Sequence, residues 1–531
     1  MPMGGGLVKK AADYMVEAVS GVNYLYNKLG QLVSQGADAA ALINPVVAAG
    51  KSFELGSDIT TATPIAVAVS GVTFDLNGHR VYLSNGSDCN VFSVTGLGVK
   101  TFRLVHGQID GNSANQASGH GVYISTDYQT WDSTHSLEDL RIRYVKEHGV
   151  YVTGDTRACV INNVNLEHIG KRGFSISGSD HDVSNCIVGF AGDSGWWIKG
   201  TSSRFVNCKA FASGANNTAH DRADWSLIGP DSSCYNSYTN CHAQDSRYEG
   251  WEAYNGARDS QFFGCQAHDV GVTAASPGFK IEGVGGGSGR CHDLAFNDCL
   301  ALDANDGVMT DGFIVSGGST CYNITFNQVE VRGGNSDGIE SGGDNTLIQG
   351  GTFDTLGGYG IKITGGTGVK IGINTYRSCA TGNYNDATTT TMLLSAWYQS
   401  VYGTNGISAS GNHYGRLITA AAHIVVFEFK LPDNLVKLQS ASLWCVPAAT
   451  ATMRLNFFGN LGGNGEAKTT HTINTADVEN ACTTDQIIKI NIADAVLLAA
   501  TANDLVGLTV QGDATNIPNL VICGLEIQYA T

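Results

Sequence analysis

The pattern Gly-apolar-any-apolar returns throughout the middle of this chain, and a chain built this way folds by stacking like units on one another. It reads Gly121-Val-Tyr-Ile, Gly149-Val-Tyr-Val, Gly173-Phe-Ser-Ile and Gly195-Trp-Trp-Ile. It continues as Gly250-Trp-Glu-Ala, Gly278-Phe-Lys-Ile, Gly312-Phe-Ile-Val, Gly338-Ile-Glu-Ser and Gly360-Ile-Lys-Ile. Between the glycines lies a second marker, held by Val164, Cys186, Cys208, Cys241, Cys265, Cys299 and Val329. Its cysteines recur every 22 to 34 residues, the period of a solenoid.

Strand alternation puts the second and fourth positions of the glycine pattern on one face and the third on the other. The inner column is then Val122, Val150, Phe174, Trp196, Trp225, Trp251, Phe279, Phe313, Ile339 and Ile361. The exchange of Val for Cys at the second marker makes that position inward and apolar, since a free thiol packs as a small hydrophobe. No Cys-x2-Cys pair is present among the 14 cysteines, so neither a zinc cage nor a disulfide framework is expected. Before the marker stand Asn163, Asn185, Asn207 and Asn240, amides that can bond from coil to coil at a bend. One strand per face per coil, stacked in parallel, makes a parallel β-helix.

Composition agrees. The chain has 531 residues, with 68 Gly and 8 Pro, as many tight turns between short strands require. A net charge of −17 argues against a nucleic-acid partner and an anionic membrane surface. No apolar run is long enough to span a bilayer. Lys9 and Lys10 are followed by Asp13 and Glu17 without an apolar core, so no secretory signal is expected, and synthesis in a reducing cytosol follows.

Outside the repeat the pattern changes. Ala11, Met15, Ala18, Val22, Leu25, Leu29 and Leu32 are spaced by fours and threes, which predicts a helix or short coiled-coil neck over residues 1–50. The β-helix is expected over 51–411. Beyond it, short apolar strands such as Ile424–Lys430 and Leu520–Ile527 predict a β-sandwich over 412–531 that serves oligomerisation or carbohydrate binding.

With its Asn and Cys ladders, the repeat resembles the right-handed pectate-lyase-like β-helices. Val105-His-Gly-Gln-Ile-Asp-Gly-Asn112 resembles the Gly-x-Ile-Asp-Gly segment of their early coils. A neck, a β-helix and a C-terminal β-domain in one chain are similar to a bacteriophage tailspike. That resemblance implies a homotrimer that engages a bacterial surface polysaccharide, without cofactor, nucleic acid or membrane insertion. It implies a place on a virion tail, or else on a cell surface or in secreted form.

The outward columns hold the candidate chemistry. Gly334-Asn-Ser-Asp-Gly338 and Gly192-Asp-Ser-Gly195 match hydrolase letters but lack the strand-elbow-helix or double-barrel context. Carboxylates and aromatics gather on the central coils instead. Asp224, Glu249 and Glu252 are the candidate catalytic acids, since paired carboxylates serve both retaining and inverting glycosidases. Trp197, Lys199, Arg222, Tyr254, Asp269, Lys280 and Glu282 are the candidate sugar contacts. Asp224 replaces a repeat glycine, so it reads either as a left-handed turn or as a groove-floor carboxylate. No metal ligand set stands out. A lyase using Tyr151, His148 or Lys199 as base with Arg172 on the substrate carboxylate, and a non-catalytic glycan-binding fibre, are the alternatives to hydrolysis.

Overall fold

The computed structural model describes residues 12–126, 134–216, 218, 220–229, 233–285, 287–304, 308–372, 374–386, 394–398, 400, 402–403, 407–410, 413–431, 437–462, 471–484, 486–492, 495–501, 504–514 and 519–530. The chain forms two compact units. One is residues 1–367 with 374–387, and the other is 368–373 with 388–531. The change of unit falls near residue 388 rather than at the expected 411.

The first unit is a right-handed parallel β-helix. The glycine-pattern strands stack into a 13-stranded sheet that runs from Ile65–Val67 to Gly382–Asp386. Pairing is parallel throughout, and the register is the one the pattern predicts. Val122 pairs with Val150, Phe174 with Trp196, Trp225 with Trp251, and Phe313 with Ile339. These side chains are buried. Rings in adjacent coils stack nearly parallel, with centroids 4.1 Å apart for Phe174–Trp196, 4.7 Å for Trp196–Trp225 and 4.6 Å for Trp225–Trp251. A second column, Phe205, Tyr238, Phe262, Phe296 and Phe326, meets the first edge-on. The aromatic edges thus face the aromatic planes across the core.

The Asn-Cys marker is the corner between two further strands of each coil, as in Arg204–Val206 and Lys209–Phe211. Asn163, Asn185, Asn207, Asn240, Asp298 and Gln328 all have φ between 50° and 55°, the left-handed region that Asn tolerates best after Gly. Gly264 holds the same corner at φ 61°. The amides also bond along the ladder. Asn207 Nδ2 donates to Asn185 Oδ1 (3.4 Å), and Asn240 Nδ2 to Asn207 Oδ1 (3.5 Å). All five marker cysteines are fully buried free thiols.

The repeat glycines are needed for a different reason. None of those from Gly121 to Gly360 has a positive φ. A Cβ on Gly121 would lie 2.5 Å from the Gly149 carbonyl oxygen and 2.7 Å from Ile142 Cγ2. Close approach, not backbone conformation, excludes a side chain here.

The expected helical neck is corrected. Tyr14–Val19 and Val22–Asn27 form an antiparallel hairpin, and Leu32–Gly36 adds a third strand. The heptad spacing coexists with a run of β-branched and aromatic residues: Tyr14, Val16, Val19, Val22, Tyr24 and Tyr26. Ser20 (φ 52°) and Gly21 (φ 81°) supply the two left-handed positions of a tight hairpin turn. Tertiary pairing decides the outcome, because Tyr14 continues in parallel register onto Phe53 of the first coil. Ala11 lies outside the described residues. The short helix that does form, Ala39–Ile43, begins at Asp38, whose side chain accepts the Ala40 N–H.

In the second unit a six-stranded and a five-stranded antiparallel sheet share one buried cluster. Leu443, Ile490 and Ile527 come from one sheet, and Phe427, Leu455 and Leu508 from the other. That is the expected β-sandwich. No helix among the described residues is long and apolar enough to cross a membrane.

Candidate functional site

The outward faces of the glycine strands form continuous columns, and register fixes their order. One runs Tyr123, Tyr151, Ser175, Trp197, Ser226, Glu252, Lys280, Ile314, Glu340 and Lys362. Two residues further along each strand, Ile228, Tyr254, Glu282 and Ser316 align, with Lys199 next in line. Neighbours within a column are about 4.8 Å apart.

Glu252, Lys280 and Glu282 converge in two adjacent coils. Lys280 Nζ lies 3.2 Å from Glu252 Oε1, 2.7 Å from Glu282 Oε2 and 4.0 Å from Glu249 Oε1. Burial opposes the Lys280 charge, but the three carboxylates win and raise its pKa. His220 Nδ1 lies 3.0 Å from Glu252 Oε1, and its ring stacks on Tyr254 at 3.7 Å between centroids. One ligand atom each of His220, Glu252 and Glu282 fall within 4.8 Å of one another. Glu252 is 1 % exposed, and its Oε2 has no hydrogen-bond partner among the described residues. A buried carboxylate oxygen without a donor is costly and marks a place where a ligand group could bond.

The other expected acids are spent on structure. Glu249 is clamped by Arg222, whose Nε donates to Oε2 (3.1 Å) and Nη2 to Oε1 (3.0 Å). Burial pushes the Glu249 pKa up, yet the Arg222 hydrogen bonds hold it below the usual range. Arg222 also lies over the Tyr248 ring at 4.3 Å. Asp224 is corrected on both readings. Its φ is not positive, so it makes no left-handed turn. It is fully buried, with Oδ1 accepting the Ser213 N–H (3.2 Å) and Oδ2 the Gln244 N–H (3.0 Å). Burial raises its pKa to about 7 against those hydrogen bonds. It therefore ties three segments of backbone together rather than meeting substrate. Asp269 is similar: 5 % exposed, with Oδ1 accepting the Ala304 N–H of the next coil (2.7 Å).

The long segment before Asp224 lies against this face. Asn216 Nδ2 and Thr218 Oγ1 donate to Asp193 Oδ1. Asp221 pairs with Arg172 (2.7 Å) and accepts from Ser194 Oγ (2.8 Å). The Arg172 guanidinium then stacks on Trp197 at 3.9 Å. Trp197 and Lys199, both expected sugar contacts, stay accessible beside this clamp.

The residues just before the repeat glycines form a capping column. His120 Nδ1 accepts the His148 N–H (3.2 Å), and His148 Nδ1 accepts the Arg172 N–H (3.3 Å). The second bond fixes neutral His148 with its proton on Nε2, so the ring offers no basic nitrogen to a substrate. Burial, then the charges of His120 and Arg172, lower its pKa to about 3. Asp311 and Asp337 do the same for Asp337 and Tyr359. With Glu340 and Lys362 they form a second acid group on the face. Glu340 and Lys362 were visible in the outward column but not singled out. Glu282, expected as a sugar contact, stands two residues beyond Lys280 on the same strand, which brings it beside Glu252.

The sequence matches the family described as right handed beta helix region over residues 128–287. Comparison with curated proteins finds no match. Among solved structures, the A-module of mannuronan C-5 epimerase AlgE4 from Azotobacter vinelandii is 13% identical, with a TM-score of 0.41, over 65% of this chain and 90% of that one. The Dettilon tailspike protein is 12% identical with a TM-score of 0.39, over 87% and 88%. Tailspike gp49 of Acinetobacter baumannii bacteriophage Fri1, a capsular polysaccharide depolymerase, is 12% identical with a TM-score of 0.29, over 86% and 80%.

Proposed function

We propose that this β-helix binds a bacterial surface polysaccharide along its coils and cleaves it by hydrolysis, with Glu252 and Glu282 as the working carboxylate pair. The observation that carries the reading is the buried Oε2 of Glu252, which has no hydrogen-bond partner among the described residues, on a carboxyl group with an oxygen within 4.8 Å of one of Glu282. Spacing near 5 Å is that of a retaining glycosidase, in which one carboxyl protonates the leaving oxygen and the other attacks the anomeric carbon. Glu252 takes the part of the general acid through Oε2, the oxygen not already met by His220 and Lys280. Glu282 is half-buried beside Lys280 and suits the nucleophile. Tyr254 and Trp197, each covered on one ring face by His220 and Arg172, offer the other face to pyranoses. Arg222 and Glu249 hold the wall of the groove.

The test uses capsule or lipopolysaccharide from a panel of bacteria. Wild type releases reducing ends without the ultraviolet absorbance of an unsaturated uronate, whereas a lyase produces that absorbance. Glu252→Gln and Glu282→Gln each lower the rate by roughly 100-fold or more while binding persists. Full activity in either variant removes that residue from the mechanism, and binding without any cleavage in wild type leaves a glycan-binding fibre. The expected assembly is a homotrimer, and sedimentation equilibrium checks it.

A further inference from the structure

We infer a sugar site in the second unit, on the outward face of its six-stranded sheet, that takes an N-acetylated amino sugar; it rests on the reading of the molecule as a glycan-binding protein, not on the carboxylate pair. A hollow of about 440 Å³ is lined there by Ser440, Lys489, Asn491, Leu498 and Gln528, among others. Register builds it. Lys437–Pro447 runs between Ile488–Ile492 and Leu520–Ala530, antiparallel to both. Ser440 lies opposite Gln528, and Ser442 lies opposite Asn491 on one side and Glu526 on the other. Alternation sends Leu443, Ile490 and Ile527 into the core of the sandwich and these polar residues to the other face. Beside them Leu498, the last residue of the short helix Ala495–Leu498, packs half-buried against the core. The hollow thus has a polar side and an apolar one.

The polar side chains are held in direction by one another. Ser440 Oγ donates to Gln528 Oε1 (3.0 Å), and Gln528 Nε2 donates to Glu526 Oε1 (3.1 Å). Glu526 Oε2 accepts from Trp444 Nε1 (2.7 Å) and pairs with Lys489 Nζ (2.9 Å). Ser442 Oγ donates to Asn491 Oδ1 (2.9 Å). Each amide therefore has an oxygen already bonded and turns its nitrogen outward. A ligand meets the Nδ2 hydrogens of exposed Asn491, the second Nε2 hydrogen of Gln528 and the lone pairs of Ser440 Oγ. Groups fixed in this way lose little freedom on binding.

The lining asks for an acceptor, a donor and a small apolar group side by side. An acetamido group carries all three: its carbonyl oxygen accepts from Asn491 or Gln528, its N–H donates to Ser440 Oγ, and its methyl rests on Leu498. The ionic groups of this face, Lys489 and Glu526, answer each other, so the hollow presents no single charge for a uronate or an amine. A hydroxyl in place of the acetamido group would leave the Leu498 side unfilled. An ammonium in its place would meet donors where it needs acceptors.

Binding is measured calorimetrically on the full chain carrying Glu282→Gln, so that no probe is consumed. The probes are tetramers of N-acetylglucosamine and of N-acetylgalactosamine, each with its deacetylated form, and a glucose tetramer as the uncharged comparison. At least one acetylated tetramer should bind about tenfold or more tighter than both its deacetylated form and the glucose tetramer, as one or two hydrogen bonds and a buried methyl supply. That preference should vanish in the Asn491→Ala, Gln528→Ala double variant, while circular dichroism and melting stay as in the parent. Equal affinity for all probes, tighter binding of a deacetylated one, or a preference that survives the double variant overturns the site. The same double variant in an otherwise wild-type chain should cleave polysaccharide at the parental rate. Loss of the catalytic reading appears as absent cleavage with the acetyl preference intact, so the two failures are told apart.

Discussion

At the residue scale, histidine and aspartate work as clamps between coils. His135, His148 and His181 each accept a backbone N–H from an adjacent coil through Nδ1. Burial lowers their pKa values to about 4, 3 and 4. An unfolded chain protonates these rings below about pH 6.5, whereas the folded one does so only near 4. The stability they contribute is therefore complete above 6.5 and lost as pH falls toward 4. For His181 alone that is about 3 kcal/mol. Asp224 acts in the opposite sense. Its folded pKa is raised to about 7, so its contribution is complete below about 3.8 and lost as pH rises through 7. The three rings outweigh it, and thermal melts should show a steep drop in Tm from pH 6.5 to 4. In His181→Gln the drop should be shallower, and an unchanged profile removes His181 from this account. Asp224→Ala orphans two buried N–H groups and should cost about 2–4 kcal/mol in chemical denaturation, whatever happens to cleavage. None of this was readable from residue type. The sequence shows a polar residue before every repeat glycine but Gly278, which follows Pro277, yet whether it faces solvent or the next coil's N–H depends on the corner geometry.

At the element scale, the coil is legible because its two corners have different chemical needs. The Asn-Cys corner requires a left-handed residue followed by a small apolar one, and Asn185-Cys186, Asn207-Cys208 and Asn240-Cys241 meet it. The glycine corner requires the absence of a Cβ. Gly250→Ala would place a methyl 2.8 Å from the Gly278 carbonyl oxygen and 3.0 Å from Ala267 Cβ. It should destabilise by roughly 1–3 kcal/mol, measured by denaturant titration. A substitution at exposed Gly78, where a Cβ meets nothing within 4 Å, is strained only by its positive φ. The hairpin at Tyr14–Asn27 was illegible because both periods fit the same letters. Heptad spacing and alternation share Met15, Val22 and Leu25, and pairing with Phe53 from outside the segment settles which one is used.

At the scale of the whole molecule, each coil leans only on its neighbours, and the core is a set of columns rather than a centre. The thiols follow this. Cys89, Cys379 and Cys523 are partly exposed, and the other eleven are buried. Native protein should therefore react with a thiol reagent at no more than those three sites, with the rest released together on denaturation; early reaction of Cys208 or Cys241 contradicts the ladder. The candidate site was only half legible at this scale. The sequence identifies the acid-rich coils, but Glu249 and Asp224 turn out to be held by Arg222 and by backbone, and the pair proposed to act joins residues 30 positions apart in the chain, Glu252 and Glu282. The indole column offers a last consequence. Trp196, Trp225 and Trp251 lie parallel within 5 Å of their neighbours, close enough for their electronic transitions to couple. The three should behave as one chromophore, with a split signal in near-ultraviolet circular dichroism that no isolated tryptophan gives. That signal belongs to coils in register, so it gives the molecule its own optical gauge of whether the solenoid has wound correctly.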